Sequence, residues 1–180
     1  MKGIIHERPG VYSSYDASAA VRGGRAARTV GVAAKSTSGT ANAAVRLTSY
    51  EMGLSAFGED AEGTPGMSAI LKLLFLGGAS TVVAVKVDED DYAAAFRVLQ
   101  TVENLQVIVC DSGELTVQQA LRVSLESASA ARRERIAVVG MSDASTADLT
   151  ERAKALNSER MVLVGPDGLD GTGKPVSGVF

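Results

Sequence analysis

TVVAVKVDEDDYAAAFRVLQTVENLQVIVC, residues 81–110, decides the fold class. TVVAVKV (81–87) is a short β-branched run of the kind that fills a strand covered on both sides. Beyond the acidic DEDD (88–91), Tyr92, Ala95, Phe96 and Leu99 recur at i, i+3, i+4 and i+7, which is one face of a helix. LQVIVC (105–110) is a strand again. The alternation continues downstream. Thr116-Val117-Gln118-Gln119 has capping-box spacing, and Val117, Leu121, Leu125 and Ala128 stripe the helix behind it. IAVVG (136–140) is a strand, Leu149, Ala153 and Leu156 stripe a further helix, and RMVLVG (160–165) is a strand. Strands and helices alternating at this spacing imply right-handed crossovers and a largely parallel sheet with helices on both faces. The class is α/β.

Upstream of that stretch, TVGVAA (29–34) reads as a strand and KSTSGTAN (35–42) as a loop. Thr48-Ser49-Tyr50-Glu51 has capping-box spacing and opens a short helix that runs to Phe57 and stops at Gly58. After the loop GEDAEG (58–63), Thr64 is the expected N-cap of the next helix, with Pro65 at its first position. Met67, Ile70, Leu71, Leu74 and Phe75 give that helix a full apolar stripe, and Gly77-Gly78 ends it. The two ends differ from this body, assigned to residues 29–180. Residues 1–28 read as an extended N-terminal arm or as a frayed terminus: a Pro9-Gly10 turn signal, Val11, Tyr12 and Tyr15 as the large apolar groups of 7–18, then the basic VRGGRAAR (21–28). So thin a segment gains little by folding on itself, but it could pair with another sheet's edge. The last stretch, GPDGLDGTGKPVSGVF (165–180), is glycine-rich, lacks a terminal element and reads as a chain cut short.

Composition excludes several classes of function. The chain has 180 residues, 46% hydrophobic and 22% charged, enough for a working core and far from a disordered composition. No apolar run is long enough for a membrane helix, and MKGIIHERPGVY (1–12) is not a secretory signal. One cysteine, Cys110, cannot form an internal disulfide or a cysteine-rich metal site, which suits a reducing compartment. A net charge of −3 has the wrong sign for a dedicated nucleic-acid binder. A single histidine, His6, and 4% aromatics leave little material for histidine catalysis or base stacking.

Ligands of parallel sheets gather at the carboxyl ends of the strands, where this chain carries Asp88, Asp111, Asp143 and Asp167. Converging carboxylates there could hold magnesium, making the chain a small α/β enzyme or a ligand-binding module. The plainer reading is that Asp88–Asp91 and Ser145 start helices. Gly168 to Lys174 fits GxxxxGK, but Pro175 stands where a P-loop needs Ser or Thr, and a glycine-rich surface loop explains it better. Gly140-Met141-Ser142-Asp143-Ala144 lacks the final glycine of a nucleophile elbow. Cys110, at the end of an apolar strand and before Asp111, reads as a small core residue. Arg132, Arg133 and Arg135 follow a helix C-terminus, where they offset the dipole. None of these constellations requires an enzyme, a metal or a cofactor.

In order and spacing, the segments resemble the N-terminal half of contractile-tail sheath proteins. The matching pieces are RPGVYSSY (8–15), TVGVAAKSTSG (29–39), the 48–58 segment ending in Phe57-Gly58, AILKLLFLGGASTVVAVKV (69–87), RRERIAVVG (132–140) and LNSERMVLVGPDG (156–168). RPGVY and LFxGGAxxVxxxxV are the more specific of them. The resemblance implies a structural subunit, not an enzyme, that polymerises in stacked six-fold rings around an inner tube and contracts to drive the tube forward. It implies that the arm residues Arg8, Pro9, Gly10, Val11, Tyr12, Ser13, Ser14, Tyr15 and Asp16 add a strand to a neighbouring subunit, with Gly23 and Gly24 as hinge. Other copies of the chain, the inner tail tube protein, the baseplate and the tail terminator are the implied partners, with no cofactor, nucleic acid or membrane. The implied location is a virion or phage-tail-like particle assembled in the bacterial cytoplasm. Family members are considerably longer and complete an inner domain after this region.

Overall fold

A computed structural model describes residues 29–61, 64–141 and 146–165. The elements run β1 (Thr29–Ala34), β2 (Ala44–Leu47), α1 (Tyr50–Phe57), α2 (Met67–Leu76), β3 (Thr81–Lys86), α3 (Tyr92–Thr101), β4 (Leu105–Cys110), α4 (Leu115–Ala130), β5 (Ile136–Gly140), α5 (Thr146–Leu156) and β6 (Met161–Val164). Among the described residues the six strands form one sheet in the order β2-β3-β1-β4-β5-β6. All neighbours are parallel except β2, which runs antiparallel to β3 with Ala44 beside Val85 and Leu47 beside Val82. The expected α/β class, with its largely parallel sheet, holds. AVRL of β2 is an addition: an edge strand in which Ala44 and Arg46 are exposed while Val45 and Leu47 turn inward.

Two apolar layers sandwich the sheet. On one face Phe96, Leu99, Leu121 and Leu125 pack with Val83, Val85, Ile108 and Val139. On the other, Phe57, Met67, Ile70 and Leu71 pack with Val32, Val82, Ala84 and Leu47. β1 lies at the centre with every residue buried, which is why TVGVAA contains no charge. Burying a Phe or Leu side chain contributes about 1.5–3 kcal/mol, so these two layers supply most of the driving force.

Several helix starts differ from the local spacing rules. Ser49, not Thr48, caps α1, accepting the Met52 N–H at 3.3 Å, while the Thr48 hydroxyl turns to the Met52 sulfur. Helix α2 starts at Met67, so Thr64 and Pro65 precede it. Asp60 caps it from the preceding loop, accepting N–H groups of Gly66 (2.9 Å), Ser68 (3.0 Å) and Ala69 (2.8 Å). Helix α4 starts at Leu115, which puts Thr116 inside the first turn with no side-chain cap. Only Asp91 acts as the local pattern indicates, accepting the Ala94 N–H at 3.0 Å. At the other end of α2, Gly78 (φ 88°) closes a Schellman turn, with Gly78 N–H on Phe75 O and Ala79 N–H on Leu74 O. In α5, Leu156 is buried and Leu149 half-buried, but Ala153 is exposed. The half-buried Arg152 points inward instead, donating to Gly113 O and the Gln118 side chain.

Candidate functional site

In a doubly wound sheet the ligand crevice opens where the strand order reverses. From β1 the chain goes to β3 on one side and returns to β4 on the other, so the switch point lies beyond the carboxyl ends of β1 and β4. Lys35 and Asp111 occupy it. Asp111 accepts the Lys35 backbone N–H at 2.8 Å with one carboxylate oxygen and the Tyr92 hydroxyl at 2.6 Å with the other. The Lys35 ammonium sits 2.5 Å from Asp90, whose hydrogen bond raises the lysine pKa. Burial, reinforced by the Asp111 hydrogen bond, pushes the Tyr92 phenol far up. Loop, strand and helix are thus bracketed together by the carboxylate that a cation would otherwise use.

The other sequence candidates separate. Asp88 is exposed, with Glu89, Asp90 and Asp91, as a solvated helix start. Asp143 and Asp167, the GxxxxGK stretch and Ser142 of the near-elbow lie outside the described residues. No group of three or more His, Cys, Asp or Glu is spaced to hold a metal among the described residues. Gly140 ends β5 and its carbonyl accepts from the fully buried Gln118 amide at 2.8 Å. Cys110 is buried and unpaired with its thiol pushed up to about 12, first by desolvation, so it is the core residue expected of it. The arginine cluster serves a different helix from the one it follows. Arg135 donates to Leu99 O and Val102 O, and Arg133 to Gln100 O, so both satisfy the end of α3 rather than α4.

What remains exposed includes apolar side chains and two sheet edges. The sheet has two edges, β2 and β6, each with one side unpaired among the described residues. Helix α2, MSAILKLLFL, carries Lys72 as its single charge, and its outer side leaves Leu73 at 52% and Leu76 at 76% exposure. Local stripe reading missed this, because it registers only the inward side of a helix. A polar hollow of about 610 Å³ lies at the amino end of the strands, between Thr29, Arg46, Glu103 and Glu134. The arm residues Arg8 to Asp16 and the hinge pair Gly23 and Gly24 lie outside the described residues.

No protein-family model matches the chain, and no curated protein matches it. Solved structures do. The chain is similar to a chain of the anti-feeding prophage helical sheath in its contracted state, with a TM-score of 0.58 at 20% identity. It is also similar to a chain of the six-fold symmetrised anti-feeding prophage baseplate, with a TM-score of 0.53 at 16% identity. Each alignment covers 96% of this chain and 49% of the other, so the chain spans about half the length of the solved chains it matches. At these identities the likeness is one of fold.

Proposed function

We propose that this chain is a structural subunit of a contractile tail sheath. The observation that carries the reading is the fold likeness over 96% of the chain to a helical-sheath protein. The sheath-like segments occur in matching order along the sequence, which supports it. The bracketed switch point agrees, since Asp111 works there as a structural tie between Lys35 and Tyr92. In this reading the chain is not an enzyme. It belongs to a phage tail or phage-tail-like particle, with copies of itself, the inner tube, the baseplate and the tail terminator as partners.

The mechanism follows from the physics of strand addition. Residues Arg8 to Asp16 pair with a sheet edge of a neighbouring copy, where backbone hydrogen bonds supply strength and side-chain alternation sets the register. Such a contact joins different surfaces of two copies and propagates as a helix in the axial direction. Gly23 and Gly24 give the link its freedom, so the bodies can rearrange as rigid units while the arms hold. The work of contraction comes from assembly in an extended packing of higher free energy, which needs no nucleotide.

Val11→Pro with Tyr12→Pro removes two consecutive backbone donors, one of which faces the neighbour's edge whichever way the arm docks, and leaves the body untouched. Sedimentation of the variant should show folded, unpolymerised chain under conditions in which the parent polymerises. An unchanged polymer yield would refute the arm assignment.

A further inference from the structure

Three of the six large apolar side chains left exposed among the described residues, Met52, Leu73 and Leu76, lie on α1 and α2. They belong to one continuous surface. A hollow of about 450 Å³ between β2 and α1 is lined by Val45, Leu47, Met52 and Ala56, with Glu51 as its one charge. A second hollow of about 390 Å³, between the two helices, is lined by Tyr50, Phe75 and Leu76, with Lys72 and the same Glu51. Neither Glu51 nor Lys72 enters an ion pair among the described residues. Lys72, Leu73 and Leu76 form the outward ridge of α2, at i, i+1 and i+4. Single exposed leucines are ordinary, whereas a contiguous apolar surface with polar groups beside it marks a contact.

We propose that this face joins two free copies of the chain in a closed pair. Leu73 and Leu76 of each copy enter the β2–α1 hollow of the other, and Lys72 of each meets Glu51 of the other. Charge selects a second copy as the occupant. The hollow has apolar walls and an anion but no cation, and the α2 ridge offers a cation beside two exposed leucines. Ridge and hollow lie side by side and share Glu51, so a half-turn exchanges them reciprocally and makes every contact twice, which is the condition for an isologous interface. Opposite charges fix the register of such a contact, and like charges in the same place oppose it. A two-fold pair closes on itself, so it is distinct from the propagating axial contact proposed above and is a state of free subunits. The inference does not rest on the sheath reading.

The test is sedimentation equilibrium of the full 180-residue chain carrying Val11→Pro and Tyr12→Pro, which keeps arm-linked polymer out of the measurement. Loss of polymer with the arm bears on the sheath reading, and pairing of this chain bears on the present one. The chain should form a reversible dimer. Glu51→Lys or Lys72→Glu, each at an exposed position, should weaken the dimer by roughly tenfold or more, since the two-fold repeats each like-charge contact. Mixing the Glu51→Lys chain with the Lys72→Glu chain in equal amounts should restore pairing, because both cross-contacts are then opposite in charge. Leu76→Asp should weaken the dimer without rescue by either charge variant, while circular dichroism stays that of the parent. A monomer at every concentration overturns the proposal and leaves the face to a different protein. Pairing that ignores the single charge reversals, or that mixing fails to restore, overturns it as well.

Discussion

Asp60→Ala probes how the body positions its apolar helix. One carboxylate accepts three backbone N–H groups at the start of α2, all at 3.0 Å or less, and Gly66, the formal cap residue, has no side chain to replace it. Losing an N-cap costs about 0.5–2 kcal/mol. Charged acceptors make stronger hydrogen bonds than neutral ones, and a negative charge at a helix N-terminus contributes about 0.3–1 kcal/mol more. The expected destabilisation is therefore about 2 kcal/mol, or about 4–8 °C in Tm for a chain of this size. Thermal and urea unfolding followed by circular dichroism measure it, and the urea slope should stay constant while the midpoint falls. Thr64→Ala is the control, because Thr64 has the sequence signature of a cap but precedes the helix; its change should stay within about 0.5 kcal/mol. A drop at Thr64 equal to that at Asp60, or no drop at Asp60, would refute the assignment.

Gly66→Ala should cost about 1–3 kcal/mol, since the added Cβ would stand 2.9 Å from the Lys35 carbonyl oxygen and 3.1 Å from an Asp60 oxygen; a neutral or stabilising result in urea unfolding would contradict the close approach. Tyr92→Phe should lose about 1–2 kcal/mol by leaving one Asp111 oxygen without its donor. In alkaline ultraviolet titration of the parent, one of the four tyrosines should resist ionisation until unfolding, and the variant should lack that resistant group. Cys110 supplies a pH dependence. Its thiol is raised from 9.0 to about 12 by burial, so its stabilising contribution is complete below pH 9 and is lost as the pH rises toward 12. Cys110→Ala should flatten that part of the stability profile, and an unchanged slope between pH 9 and 11 would argue against a buried thiol.

The legible parts of the fold are those written in local periodicity. TVGVAA, LQVIVC and IAVVG form strands over the residues that their apolar runs mark, because parallel central strands are largely apolar, and the first two end where charge returns at Lys35 and Asp111. The inward stripe of α3 is equally direct, with Tyr92, Ala95, Phe96 and Leu99 all buried. What local reading missed depends on contacts distant in sequence. Asp60 caps α2 from beyond the reach of any capping-box spacing, and Arg133 and Arg135 close a helix more than thirty residues upstream. Arg152 displaces Ala153 as the inward residue of α5 because Gln118, itself fully buried, offers it a partner there. The edge strand β2 is four residues long, too short for its alternation to stand out. Of the site, Asp111 was legible as a carboxylate at a strand end. Its role as a tie was not, since its partners Lys35 and Tyr92 come from two other segments.

These elements are compatible with the proposed role of a sheath subunit held by its neighbours. The body has its own two-sided core, its switch-point carboxylate is internally satisfied, and it exposes apolar side chains on α2 along with two sheet edges. Electron microscopy of negatively stained chain, beside a version lacking residues 1–20, tests the central claim most directly. The account predicts rings or hollow tubes from the whole chain and their loss on deletion, with the body still folded by circular dichroism. Monodisperse small particles from both, or tubes that survive the deletion, would contradict it.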